Sequence, residues 1–172
     1  MNYTNSSMTN LSLPEIKNEN VFEIYSDKGL NIVNHQQVLE RINNFSQNLN
    51  YQFINIVNSA PIQYPSNFVL GFLGGLANSS YNVLPGNYNF PEILKLIHSQ
   101  KSPLFIAEDS LLDVKLANDK LADVQSITSH VQDVVILTSE DNLKSKNFDE
   151  FKKVFANSKL NFYDEITFQK LD

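Results

Sequence analysis

The feature that most constrains this chain is an alternation. Short runs that are apolar at nearly every position take turns with longer stretches whose apolar residues recur every three or four places. The short runs are Phe53-Ile54-Asn55-Ile56-Val57, Tyr81-Asn82-Val83-Leu84, Leu104-Phe105-Ile106-Ala107 and Val134-Val135-Ile136-Leu137. A run of four or five residues without polar alternation reads as a strand buried on both faces. The stretch from His35 carries Val38, Leu39, Ile42, Phe45 and Leu49 on one helical face. A second helix from Pro65-Ser66 carries Phe68, Val69, Phe72, Leu73 and Leu76, and a third after Asn89 carries Ile93, Leu94, Leu96 and Ile97. Ser110 to Leu121 reads as a fourth, with Leu111, Leu112, Leu116 and Leu121 buried. Phe148, Phe151, Val154 and Phe155 mark a fifth. Strands and helices in strict turn specify parallel pairing through right-handed crossovers. The predicted fold class is therefore α/β, with a mostly parallel central sheet flanked by helices on both faces.

Upstream, Val21 to Tyr25 and Leu30 to Val33 flank Ser26-Asp27-Lys28-Gly29, the pattern of a small N-terminal β-hairpin. Met1 to Asn20 is rich in Asn, Ser and Thr and poor in periodic apolar positions, so it is expected to be a flexible arm, leaving 21–172 as a single domain. Asn34, Asn89 and Asn147 stand where helix N-caps are needed, and Pro91 and Glu92 suit a first helical turn. Asn78 is expected to close the second helix in the left-handed conformation. The tail from Leu160 to Asp172 alternates weakly and is expected to add an edge strand.

Charge excludes some functions. Thirteen Lys and Arg against nineteen Asp and Glu leave −6, with a pI near 5.0, which lacks the basic footprint of a nucleic-acid binder. With no Cys there is no disulfide, thiolate nucleophile or Cys-ligated metal. The longest apolar run, Phe68 to Ala77, is too short for a membrane span, and the first twenty residues show no secretory pattern, so a cytoplasmic location is expected.

Candidate chemistry is sparse. Gly71, Gly74 and Gly75 lie inside a predicted helix rather than in front of one, with no following Lys, so they read as packing glycines and not as a phosphate cradle. His35, His98 and His130 lack partners at metal-ligand spacing. The adjacent acids Glu108-Asp109, Glu140-Asp141, Asp149-Glu150 and Asp164-Glu165 read as solvated charge, because neighbours in sequence seldom converge on one reacting atom. Ser129-His130 has no nucleophile elbow behind it. Arg41, the only arginine, is thin support for an anion clamp. No catalytic, cofactor-binding or metal-ligating residue is assigned, and no cofactor is expected.

The order of segments nevertheless resembles the N-terminal portion of acyl-adenylate-forming enzymes, the superfamily of acyl-CoA synthetases, coumarate–CoA ligases, adenylation domains and beetle luciferases. The resemblance runs through Gly29-Leu30-Asn31-Ile32, the His35–Leu49 helix, Ile54 to Val57, Tyr64-Pro65-Ser66-Asn67-Phe68 to Leu76, Val83 to Tyr88, Pro91-Glu92-Ile93, Ser102 to Ile106, Val134 to Leu137 and Asn147-Phe148-Asp149-Glu150-Phe151. It covers about residues 21–172, all through packing motifs. The family's Thr/Ser/Gly-rich phosphate loop ending in Pro-Lys-Gly is not among these residues, and Pro85-Gly86-Asn87 alters the family's usual order. The resemblance thus implies a truncated or divergent scaffold portion of an AMP-forming acid–thiol ligase, inactive alone, whose partner is the remainder of a larger ligase. The alternative is a small α/β interaction or regulatory module with a protein partner and no catalysis. A flavodoxin-like ligand binder would need a phosphate-cradling loop after its first strand, and Asn58 to Pro65 is a poor one.

Overall fold

The computed structural model describes residues 20–49, 51, 54–85, 89–113 and 120–171. The expected arm lies outside them except for Asn20, as do Phe53, Gly86 to Tyr88 and Leu116. Strands β1 (Asn20–Ser26) and β2 (Gly29–Asn34) form the predicted antiparallel hairpin. Gly29 sits at φ 112° in its turn, a conformation that Cβ-bearing residues rarely adopt. Asn34 then starts α1 (His35–Asn48) through a capping box. Its side chain accepts from the Gln37 N–H at 2.9 Å, and the Gln37 side chain accepts from the Asn34 N–H at 3.0 Å.

From here the alternation holds. Strand β3 (Asn55–Asn58) is followed by a π-helical segment, Asn67–Leu73, that runs into α2 (Gly74–Ala77). Next come β4 (Tyr81–Val83), α3 (Phe90–Gln100), β5 (Leu104–Glu108), a 3₁₀ turn at Asp109–Asp113 and α4 (Leu121–Thr128). The chain continues with β6 (Asp133–Thr138), α5 (Glu140–Ser145), α6 (Asp149–Val154), β7 (Lys159–Asp164) and β8 (Lys170–Leu171). Strands β3 to β8 make one six-stranded sheet in the order β4-β3-β5-β6-β7-β8, parallel throughout except for the β7–β8 pair.

Alternate residues of each central strand feed two separate cores. Ile56, Leu104, Ile106, Val135 and Leu137 face α1, the π-helical segment and the hairpin, where they meet Val33, Val38, Ile42, Phe45, Val69 and Leu70. Val57, Phe105, Ala107, Val134 and Ile136 face α3, α4 and α6, where they meet Ile93, Ile97, Val124, Phe151 and Val154. Burial on both sides is why these strands carry no polar alternation.

Four expectations need correction. Tyr81 to Val83 forms the outer strand of the sheet, not a core strand, and Tyr81 is 55% exposed. Of the helix expected over 110–121, residues 114–119 lie outside the described ones; Asp109–Asp113 form a 3₁₀ turn, and α4, which starts at Leu121, buries Val124 and Thr128. The tail forms two strands where one was expected: the short β8 is the predicted edge strand, and β7 lies inside it, between β6 and β8. Asn78 is not left-handed; its φ is −104°, and Ser79 takes the positive φ of 55°. The Asn78 side chain instead donates to Ser46 Oγ at 2.6 Å and to the Gly74 carbonyl at 2.7 Å, tying α2 to α1.

Candidate functional site

Parallel strands deliver their carboxyl ends to one edge of a sheet, and in open α/β folds that edge is where ligands bind. Here the ends of β5, β6 and β7 bring Glu108-Asp109, Thr138-Ser139 and Asp164-Glu165 to the same rim. A cleft of about 480 Å³ opens between this rim and the β1–β2 turn. It is lined by Asp27, Lys28 and Asn31 from the hairpin and by Ser139, Asp141, Asp164, Glu165 and Thr167 from the rim.

Most of the polar groups at the rim are already engaged. Asp109 accepts from Thr138 Oγ1 at 2.9 Å and from Asn142 Nδ2 at 2.6 Å, and pairs with Lys146 at 3.3 Å. This half-buried cluster fastens the end of β5 to the start of α5. Asp164 Oδ1 accepts from the Ile166 and Thr167 N–H groups at 2.9 and 2.7 Å, fixing the turn after β7. Lys28 meets Asp141 at 2.8 Å across the mouth. Their shared hydrogen bond raises the lysine pKa and lowers the carboxyl pKa, in solvent, where such a pair adds little stability.

Glu165 is the perturbed group. Partial burial first, and then the neighbouring charges of Asp109, Asp164 and Glu108, raise its carboxyl above the ordinary range, against the opposing pull of Lys146. The folded state therefore holds this proton more tightly than the unfolded chain, and stability falls as pH rises through that window. Glu165→Gln is expected to raise the melting temperature at about pH 7 and to leave it unchanged at about pH 3.5, where the unfolded-state carboxyl is protonated too. Thermal scans of both proteins at the two pH values measure it.

Three of the four adjacent acid pairs thus contribute to one rim. The sequence argument holds within each pair, whose members point apart, but not between pairs, because the sheet joins residues more than fifty positions distant. The fourth pair, Asp149-Glu150, stays in the exposed first turn of α6, ion-paired to Lys152 and Lys153. His35 opens α1, His98 lies in the last turn of α3, and His130 Nε2 sits 2.9 Å from the Ile97 carbonyl. Ser129 Oγ donates to the Ser126 carbonyl, so it forms no pair with His130. Among the described residues, no group of three or more His, Asp or Glu is placed to hold a metal ion. No described helix is long and apolar enough to cross a membrane.

The glycines take the packing role predicted for them. Next to them a buried amide network joins β3, β4 and the π-helical segment. Asn58 Nδ2 donates to Oδ1 of Asn67 and of Asn82, each at 2.9 Å. Asn67 donates on to the Ala60 carbonyl at 2.7 Å, and Asn82 to the Gly71 carbonyl at 3.1 Å. The Tyr51 hydroxyl donates to that same carbonyl at 2.9 Å. A Cβ on Gly71 would run into Asn67 Oδ1 and Asn58 Nδ2, and one on Gly75 would sit 2.8 Å from Asn82 Nδ2. Sequence reasoning passed over this network because the asparagines are far apart and Asn is abundant throughout the chain.

No family model matches the chain, and no curated protein matches it in sequence. Solved structures do match in shape. The N-terminal domain of FACL13 from Mycobacterium tuberculosis superposes with a TM-score of 0.66 over 86% of this chain and 36% of that one, at 9% identity. The luciferase-like enzyme of the nonluminescent mealworm Zophobas morio superposes with a TM-score of 0.52 over 78% of this chain and 30% of that one, at 13% identity. This chain therefore spans about a third of the length of these relatives in shape. The likeness is one of fold, and at that level it agrees with the resemblance drawn from the order of the segments: the chain has the α/β fold found in the N-terminal domain of FACL13.

Proposed function

We propose that these 172 residues form a scaffold portion of an AMP-forming acid–thiol ligase-like protein and carry out no adenylation by themselves. The observation that supports this reading is the superposition of most of the chain on the N-terminal domain of FACL13. The described residues supply a rigid two-faced sheet with an acidic rim. An acidic rim repels a triphosphate, and no phosphate-cradling loop of Thr, Ser and Gly ending in Pro-Lys-Gly occurs in the sequence. The role of the chain would be to shape a surface on which the nucleotide-handling parts of a larger ligase rest. ATP–pyrophosphate exchange with a panel of carboxylic acids is expected to stay at background. Exchange clearly above background overturns the reading.

A second reading, a non-catalytic interaction module, is favoured by one feature. Leu76, Tyr81 and Leu84 are 58%, 55% and 48% exposed, and lie at or next to the outer strand β4. Apolar exposure beside an open strand edge suits association with another protein.

A further inference from the structure

Arg41, the only arginine of the chain, lies on α1 beside a second opening. A groove of about 330 Å³ runs between α1 and the turn joining β7 to β8. Arg41, Asn44 and Asn48 line it from α1, at three- and four-residue spacing on one helical stripe, and Tyr163, Gln169 and Lys170 line it from the sheet. Among the described residues, two cations and no carboxylate line this groove, in a chain whose acids outnumber its bases by six. The cleft at the acidic rim is lined instead by four carboxylates and one lysine.

Two further observations point to a ligand. Tyr163 is 2% exposed, and its hydroxyl, beside the Asn48 side chain, makes no hydrogen bond of good geometry among the described residues. A buried hydroxyl without a firm partner costs about 1–3 kcal/mol, which an accepting ligand atom would recover. Arg41 has no ion-pair partner among the described residues either, whereas six of the lysines do. The backbone that carries Gln169 and Lys170 to Arg41 is itself unusual. Phe168, which also lines the groove, is held at a positive φ of 60° by a buried ring packed edge-on against Phe22.

We propose that this groove binds the phosphate group of a small phosphate monoester. Arg41 would grip two oxygens of the dianion in fork geometry, Lys170 would neutralise the second charge, and the Tyr163 hydroxyl and the Asn44, Asn48 and Gln169 amides would donate to what remains. The volume is at the low end for small-molecule sites and leaves room for a carrier of a few carbons beyond the phosphate. The groove adjoins the acidic rim through the β7–β8 turn, where Tyr163 and Phe168 neighbour Asp164 and Thr167, and it does not depend on the ligase-scaffold reading.

Calorimetric titration of the full chain with inorganic phosphate at low ionic strength, in a phosphate-free buffer, tests it. Saturable binding with a Kd of about 1 mM or tighter is expected. Arg41→Gln and Lys170→Gln should each weaken it by about tenfold or more, since each removes a charge-assisted contact. Tyr163→Phe should weaken binding while leaving the melting temperature unchanged or higher, because the lost hydroxyl makes no well-formed hydrogen bond in the unliganded fold. Absence of saturable binding, or a loss smaller than about threefold in either charge variant, overturns the proposal. So does a Tyr163→Phe protein that binds as the parent does.

Discussion

Gly71→Ala is expected to destabilise the chain by about 3 kcal/mol, a large effect for one methyl group. Ordinarily Ala in place of Gly inside a helix gains about 1 kcal/mol. At Gly71 the new Cβ would collide with Asn67 Oδ1 and Asn58 Nδ2, and both atoms belong to side chains that are at most 1% exposed and already hydrogen-bonded. Moving them means breaking the bonds to Asn82 and to the Ala60 carbonyl. The cost is thus overpacking, about 1–3 kcal/mol, together with buried amides left unpaired, about 1–3 kcal/mol more, less the helical gain. The neighbouring glycines provide the control. A Cβ on Gly74 finds its nearest atom, Tyr51 Cε1, at 3.4 Å, so Gly74→Ala should be close to neutral. Gly75→Ala, 2.8 Å from the Asn82 amide, should fall between them. Urea titration of the three variants measures the series as shifts in midpoint at constant slope. An order in which Gly74→Ala costs as much as Gly71→Ala would refute the role given to the amide network.

The second large effect is expected at Phe45. Its side chain is fully buried, and its ring meets Tyr51 at 5.2 Å and Tyr163 at 5.1 Å, both edge to face. Phe45→Ala removes the anchor of α1 and both ring contacts, and should cost about 3–5 kcal/mol. With about 2–4 °C lost per kcal/mol in a chain of this size, the melting temperature should drop by roughly 10 °C or more. Phe45→Leu, which keeps most of the volume, should lose less than half of that. Calorimetry on the two variants decides; equal losses would mean that the ring contacts, rather than the filled volume, carry the stability.

The sequence makes the hairpin, α1, α3 and strands β3, β5 and β6 legible because each satisfies a local rule. Ser26 to Gly29 supply a turn, Asn34 and Asn89 supply caps, and the strands are apolar throughout. Strand β7 escapes the same reading because Asn161 sits in its middle. That amide is 1% exposed and donates to Asp133 Oδ1 at 3.0 Å on the neighbouring strand, so a residue that reads as a surface position is a cross-strand tie. Helix α5 went unread although Ser139, Glu140 and Asp141 make a regular start; none of its residues is buried, so it leaves no apolar periodicity. Neither polar site is visible along the chain. The acidic rim needs the parallel order of β5, β6 and β7, and the basic groove needs Arg41 and Lys170, more than a hundred residues apart, to meet across the sheet edge.

The core on the α1 side also dictates when the chain can fold. Phe22 packs against Phe168 and Phe45 against Tyr163, each across more than a hundred intervening positions of the chain. Closing such long loops is slow, and the nearer rings, Phe68 for Phe22 and Tyr51 for Phe45, supply only part of the packing. Until the segment carrying Tyr163 and Phe168 has been made, part of the oily stripe of the first helix stays bare, and holdase chaperones that sequester such stripes have an opportunity on this segment.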